Sequence, residues 1–382
     1  MLSCGGKRSM EENGVNEMPL HFTEGRWTRI RGIYEKFWNM QSDRLVYGMA
    51  IREHPLESEP ELPLLSQATC HDRTIPAEKV ADRILLEMSQ YEYYGDAFPV
   101  FNMDCFGPGI VAAFLGASLD NSTGRVWFHP RKKVPIGELD LRYDPDNVWF
   151  RRIMDICAAL YDRMEGRGLI GLPDMGGALD ILSTFYPGEE LLFALYDEPD
   201  AVKAQCRRIE ELWMQYYTEL LPLCSLPGGG NTNWAGLFSE TPSYILQCDF
   251  SYMIGPDMFR EFALPTLERD CGRLDHVFYH LDGVGELPHL DMLLGLERLA
   301  GVQWIPGAGN PAPNDPAYIA LYRKIRAAGK QVQIQYCEPE CLLDIAGQMG
   351  GGAGLHHAAL FVGDSRGKDS ALELLRRTGV EP

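Results

Sequence analysis

Short apolar runs of β type, each closed by Gly, Pro or Asp and followed by a helical stretch, recur from residue 98 onward. They are FPVFNMD (98–104), RVWFHP (125–130), GLIGLPD (168–174), NTNWAGLF (231–238), HVFYHLDG (276–283), GVQWIPG (301–307), QVQIQYCEP (331–339) and GLHHAALFVGD (354–364). Between them, apolar periodicity predicts helices over 201–221, 256–273, 316–328 and 370–378, with polar faces suited to the outside of a barrel. Strands alternating with helices imply a parallel sheet, and eight such units predict an α/β fold of the (β/α)8 TIM barrel type. An open doubly wound sheet is the alternative, but no glycine-rich phosphate loop opens any unit, and GGAG (351–354) precedes its strand. Upstream, 1–20 reads as a disordered leader. Residues 21–94 read as an N-terminal helical extension, with helices over 27–39 and 77–94 and an acidic, proline-rich loop at 56–63. The barrel is then 95–382.

Chemistry on a barrel sits where strands end. That rule selects Asp104, Asp174, His280, Asp282, Trp304, Tyr336, Glu338 and His357. Side chains two apart on a strand point the same way, so His280 and Asp282 project together. His356-His357 is a second imidazole source, and strand alternation lets only one of the two point inward. Two histidines and a carboxylate suit Zn²⁺, Fe²⁺ or Mn²⁺ and leave positions open. The same residues also read as a buried His–Asp hydrogen bond that fixes a turn. Trp234, Trp304 and Tyr336 would form an aromatic wall for a planar or sugar-like ligand. Asp104 and Glu338 can work as acid and base if burial raises one of them, or can bind loop amides instead. Asp174 either lines the site or caps its own turn.

Charge narrows the substrate. Lys+Arg 35 against Asp+Glu 54 leaves −19, which disfavours nucleic acid, anionic membranes and highly anionic ligands. No apolar run is long enough to span a bilayer. Ten cysteines without a paired-spacing framework predict reduced thiols and a cytoplasmic protein. Cys337 and Cys341 frame CEPEC, where the proline argues against a helical C-x-x-x-C face.

LYDEPDAVKAQCRRIEELW (195–213), GPDMFREFALP (255–265), HLDG (280–283) and YCEP (336–339), in that order, resemble the uroporphyrinogen decarboxylase superfamily. The resemblance runs from about residue 80 to the C-terminus and implies a barrel that pairs into a homodimer. In the decarboxylase branch an aspartate after the first strand binds pyrrole N–H groups, and FNMDCFGPG (101–109) places Asp104 there. The arginine segment of that branch, "MRQAGR", is absent, and Asp249 stands where it has a serine. A carboxylate there repels a polyanionic tetrapyrrole. The decarboxylase alternative is therefore a metal-free carboxy-lyase using Asp104 and Asp249 on a less anionic small acid. The corrinoid-linked methyltransferase branch binds zinc through His-x-Cys and a later Cys, and the corresponding residues here are His280, Asp282 and His357. On that basis the resemblance implies metal-dependent methyl transfer on a small molecule, with Asp104 and Glu338 orienting substrate or moving a proton. No Asp-x-His-x-x-Gly string is present, so the corrinoid would come from a separate partner protein. A non-catalytic small-molecule-binding barrel is the third reading.

Overall fold

In the computed structural model, which describes residues 20–382, the strands are β1 (Gly48–Arg52), β2 (Tyr91–Gly95), β3 (Val100–Asn102), β4 (Ser118–Asp120), β5 (Trp127–His129), β6 (Leu169–Gly171), β7 (Ser243–Gln247), β8 (His276–Asp282), β9 (Leu299–Ile305), β10 (Gln331–Ile334), β11 (Leu355–His356) and β12 (Leu360–Val362). The expected leader, apart from Leu20, lies outside the described residues. Strands β7 to β11 form one parallel sheet in chain order. β3 pairs in parallel with β6, and a parallel bridge from Leu172 to Asn233 continues that pair. β1 lies between β12, parallel, and β2, antiparallel. The protein is thus mixed α/β around a five-stranded parallel sheet.

Three sequence expectations change. NTNWAGLF forms no strand and contributes only isolated bridges at Asn231 and Asn233. RVWFHP becomes β5, the outer half of an antiparallel hairpin with β4, and joins no parallel strand. Its place in the parallel order goes to SYILQ, which is β7 and buried along its whole length. SYILQ is closed by Asp249 just beyond its end, past Cys248, with Gly255-Pro256 further on, so its punctuation was weaker than that of the other runs but present. The extension over 21–94 is also not all helical. Its second helix stops at Met88, and Tyr91–Gly95, rich in aromatic strand formers, pairs with β1. Elsewhere the helices Pro199–Leu220, Pro316–Ala327 and Lys368–Arg377 lie within two residues of expectation. The 256–273 helix is interrupted by a π turn at Phe259–Ala263.

The first helix, Glu24–Trp38, explains how the sheet's lower end is covered. Thr23 caps it by accepting from the Arg26 amide, and Trp27, Ile30, Tyr34 and Phe37 form one buried stripe at helical spacing. That stripe meets rings from three other segments: Trp27 lies 5.8 Å from Phe98 and 6.0 Å from Phe238, and Phe37 lies 6.1 Å from Phe278. Phe278, His280 and Asp282 share one face of β8. The helix therefore seals the start of that face, His280 sits midway, and Asp282 stands at its end. Gly301 in β9 makes room for this seal, since a Cβ there would come 2.3 Å from the Phe278 ring.

On the outer layer, Glu210 of Pro199–Leu220 is buried and receives Arg269 and Arg273 from Leu264–Arg273 at 2.6 and 3.0 Å. Asp270 stands beside this cluster. Burial first, and then the Glu210 charge, push its carboxyl up to about 8. The folded form therefore binds the proton more tightly than the unfolded chain, and stability falls as pH rises from about 4 through 8. Asp270→Asn is expected to remove most of that slope, adding on the order of 3 kcal/mol at pH 8 relative to pH 5. Urea melts of both proteins at the two pH values would show it, and parallel pH slopes would contradict it.

Candidate metal centre

Across the five-stranded sheet, the register sets one inward row of polar residues: Gln247, His280, Gln303, Gln333 and His356. All but His280 are buried. Buried amides of this kind must find partners or cost free energy. Here most of them do so in a single direction. His280 Nδ1 meets Gln303 Oε1, Gln303 Nε2 donates to Gln333 Oε1 at 2.8 Å, and Gln333 Nε2 reaches His356 Nδ1 at 3.0 Å and the Ala235 carbonyl at 2.7 Å. His356 Nε2 lies 2.8 Å from the Tyr34 hydroxyl, which donates to the Gly236 carbonyl at 3.3 Å.

This row assigns the tautomer of His280. Gln303 Oε1 can only accept, so Nδ1 carries the hydrogen and Nε2 presents a lone pair. Burial lowers the pKa of His280, which favours the neutral ring. Nε2 points toward Asp282, 4.0 Å from Oδ2. Asp249, at the start of the turn after β7, completes a group in which one donor atom from each of Asp249, His280 and Asp282 lies within 4.8 Å of the others. Bonds of ~2.1 Å put tetrahedral donors ~3.4 Å apart, within reach of side-chain rotation by two solvent-facing carboxylates. A neutral imidazole with its other nitrogen tied down, plus two carboxylates, fits a borderline divalent cation.

The two carboxylates are themselves held. Asp180 accepts from the Phe250 amide at 2.7 Å, fixing the turn that carries Asp249. Glu286 accepts from the Asp282 amide at 3.3 Å, and its Oε1 is buried without a partner. His289 ties the two turns together by donating to the Ser251 carbonyl at 3.0 Å. The concentration of negative charge is visible in the proton affinities. Crowding by protein, then Asp180, Asp174 and Asp282, raise Asp249 well above the carboxylate range. Burial and then Asp249 push Glu286 up to about 10. Burial brings Asp174 to about 7 against the amides of Gly176 and Gly109, which bond to it.

Of the expected site residues, His280 and Asp282 come together as alternation required, and Trp234 joins them with its ring 5.1 Å from the imidazole. Asp249 stands with them as a possible ligand. Asp104 is at the rim, solvent-facing, with its carboxyl raised by burial of its surroundings. Asp174 caps its own turn next to Asp249. Four expectations are corrected. His357 does not join the group; its neighbour His356 takes the inward position, as the two-residue alternation demands. Trp304 follows Gln303 on β9, so it faces outward and packs on Tyr318 at 5.2 Å. Tyr336, in the left-handed region at φ 53°, is 83% exposed and does not line the cavities beside His357 and Asp104. Glu338 is exposed at the N-terminus of Pro339–Met349 and caps it with no side-chain bond.

Cys337 and Cys341 are joined in a disulfide, against the expectation of uniformly reduced thiols. Pro339 begins the helix, so Cys337 lies before its first turn and can fold back over it rather than along a face. The other described cysteines are free and buried. Gln303 and Gln333 were the residues the sequence reading missed, together with Asp180 and Glu286. A glutamine at alternate positions inside GVQWI and QVQIQ was the available signal. Among the described residues, no helix is long and apolar enough to cross a membrane. No known family model and no curated protein matches the chain.

Proposed function

We propose that the strands close into a (β/α)8 barrel of the uroporphyrinogen decarboxylase superfamily, that Asp249, His280 and Asp282 bind a divalent cation at its C-terminal mouth, and that the chain carries out metal-dependent methyl transfer on a small molecule with a separate cytoplasmic corrinoid protein. The sequential order of β7 to β11 supports closure, as does the 2.8 Å bond from Ser243 Oγ, at the start of β7, to Asn231 Oδ1 beside the β6 extension. One observation carries the metal: the amide row leaves His280 Nε2 as a free lone pair facing two carboxylates. Bound there, Zn²⁺, Fe²⁺ or Mn²⁺ would polarise a substrate oxygen or lower the pKa of a coordinated thiol or water. The protein residues supply the rest. Trp234 walls one side of the imidazole, Gln303 holds the ring, and Asp104 at the rim orients substrate or takes a proton. The chain's net charge of −19 disfavours an anionic substrate and favours a neutral or cationic one.

A metal-free carboxy-lyase is the second reading, supported by the raised carboxyls of Asp104 and Asp249. Metal content separates the two. Protein stripped with chelator and reloaded with Zn²⁺, Fe²⁺ or Mn²⁺ is expected to hold about one ion per chain, and Asp249→Asn is expected to lower that occupancy. A chain that takes up none of the three ions would sink the metal reading and leave Asp104 as the residue to mutate. Methyl transfer itself is tested by demethylation of small donors in the presence of a corrinoid carrier.

A further inference from the structure

The parallel order is interrupted on one side of the molecule. β3 pairs with β6 along one edge only, and β11 ends after two residues, beyond which the chain turns away and pairs with β1 as β12. Two cavities meet in the gap and share Val100, Asn102 and Phe361: an inner one of about 60 Å³ and an outer groove of about 460 Å³. The inner cavity is lined by His357 and Tyr47, whose rings meet edge to face at 5.6 Å. His357 is 7% exposed and Tyr47 is 1% exposed, and His357 Nε2 and the Tyr47 hydroxyl are both buried without a partner. His357 Nδ1 lies 2.5 Å from the Ala358 carbonyl and so carries the hydrogen, leaving Nε2 as an acceptor. Asn102 Oδ1, an acceptor, and Trp234 Nε1, a donor, are also buried without a partner on this cavity, so it has an unmet demand for a group that donates to His357 Nε2 and can also accept.

The groove outside differs in character. Tyr91, Tyr93, Phe101 and Phe361 give it aromatic walls, Glu87 and Asp104 are its carboxylates, and no Lys or Arg lines either cavity. A volume of this size holds an aromatic ring, and the inner cavity holds only the group attached to it. We infer that this seam is a binding site for an aromatic alcohol or amine, its ring in the groove and its O–H or N–H donated to His357 Nε2 beside Tyr47. An aromatic carboxylate is disfavoured, because it has no hydrogen to give His357 Nε2 or Asn102 Oδ1 and would stand among Asp96, Glu87 and Asp104 with no lining cation. Trp234 lines the inner cavity and also touches His280, so the ligand lies one indole away from the candidate metal group. The site does not depend on that metal.

Calorimetric titration of phenol into the full chain, stripped of metal with chelator, tests the inference. Phenol is expected to bind saturably at one site, toluene at least about tenfold more weakly for want of a donor, and benzoate not at all. Tyr47→Phe, which removes only the hydroxyl, and Phe361→Ala, which removes an exposed wall, are each expected to weaken phenol several-fold. His357→Gln is expected to do so by about tenfold, and circular dichroism reports whether it folds. If it does not, the Tyr47 and Phe361 variants decide. Absence of saturable phenol binding, equal binding of benzoate, or affinity unmoved by Tyr47→Phe and Phe361→Ala would each overturn the site.

Discussion

His280→Ala is expected to lower divalent-metal affinity by at least about 100-fold, and Gln303→Leu, which touches no ion, by about 10- to 100-fold. The alanine removes a donor atom outright. The leucine keeps the shape of the neighbour but deletes the acceptor that holds the hydrogen on Nδ1. The ring is then free to rotate or to carry its hydrogen on Nε2, where no metal can bind. Gln333→Leu, one step further along the row, should have a smaller effect in the same direction, because it loosens Gln303 rather than His280. Competition titration against a coloured chelator would rank the three variants. Full affinity in a folded Gln303→Leu protein would show that the amide row does not set the tautomer.

The second large effect is structural. Trp27→Ala is expected to destabilise the chain by about 3–5 kcal/mol. Trp27 is 1% exposed, its ring touches Phe22, Phe98 and Phe238, and its Nε1–H donates to the Gly166 carbonyl at 3.0 Å. Truncation would leave a cavity among three segments far apart in sequence, and an orphaned carbonyl as well. Urea unfolding at neutral pH measures the loss. A change under 1 kcal/mol would mean that the helix Glu24–Trp38 is not integral to the core.

What the sequence made legible follows from how local each signal was. His280 and Asp282 were readable because strand alternation is a property of neighbouring residues, needing no partner strand. The helix Glu24–Trp38 was readable for the same reason, through its apolar stripe. His357 was misassigned because the end of a two-residue strand cannot be located from composition, and one residue of slip exchanges inside for outside. Trp304 and Tyr336 were placed at strand ends correctly, but which way each faces depends on the register with neighbouring strands. The role of Gln303 was invisible until β8, β9 and β10 were aligned, since its meaning lies in what stands beside it on two other strands. Likewise Asp180 and Asp249 are 69 residues apart in the chain and meet only through packing.

The row from His280 to Tyr34 has a further property. Every member hands its hydrogen to the next, so turning any one amide around would set two donors against each other on one side and two lone pairs on the other, at about 1–3 kcal/mol for each unmet group. The proton order across the sheet is therefore set as a unit, and the Ala235 carbonyl, which can only accept from Gln333 Nε2, pins its direction. The lone pair on His280 Nε2 and the polarity of the Tyr34 hydroxyl on the first helix, four hydrogen bonds away, are thus two ends of one fixed arrangement held by a backbone carbonyl in its middle.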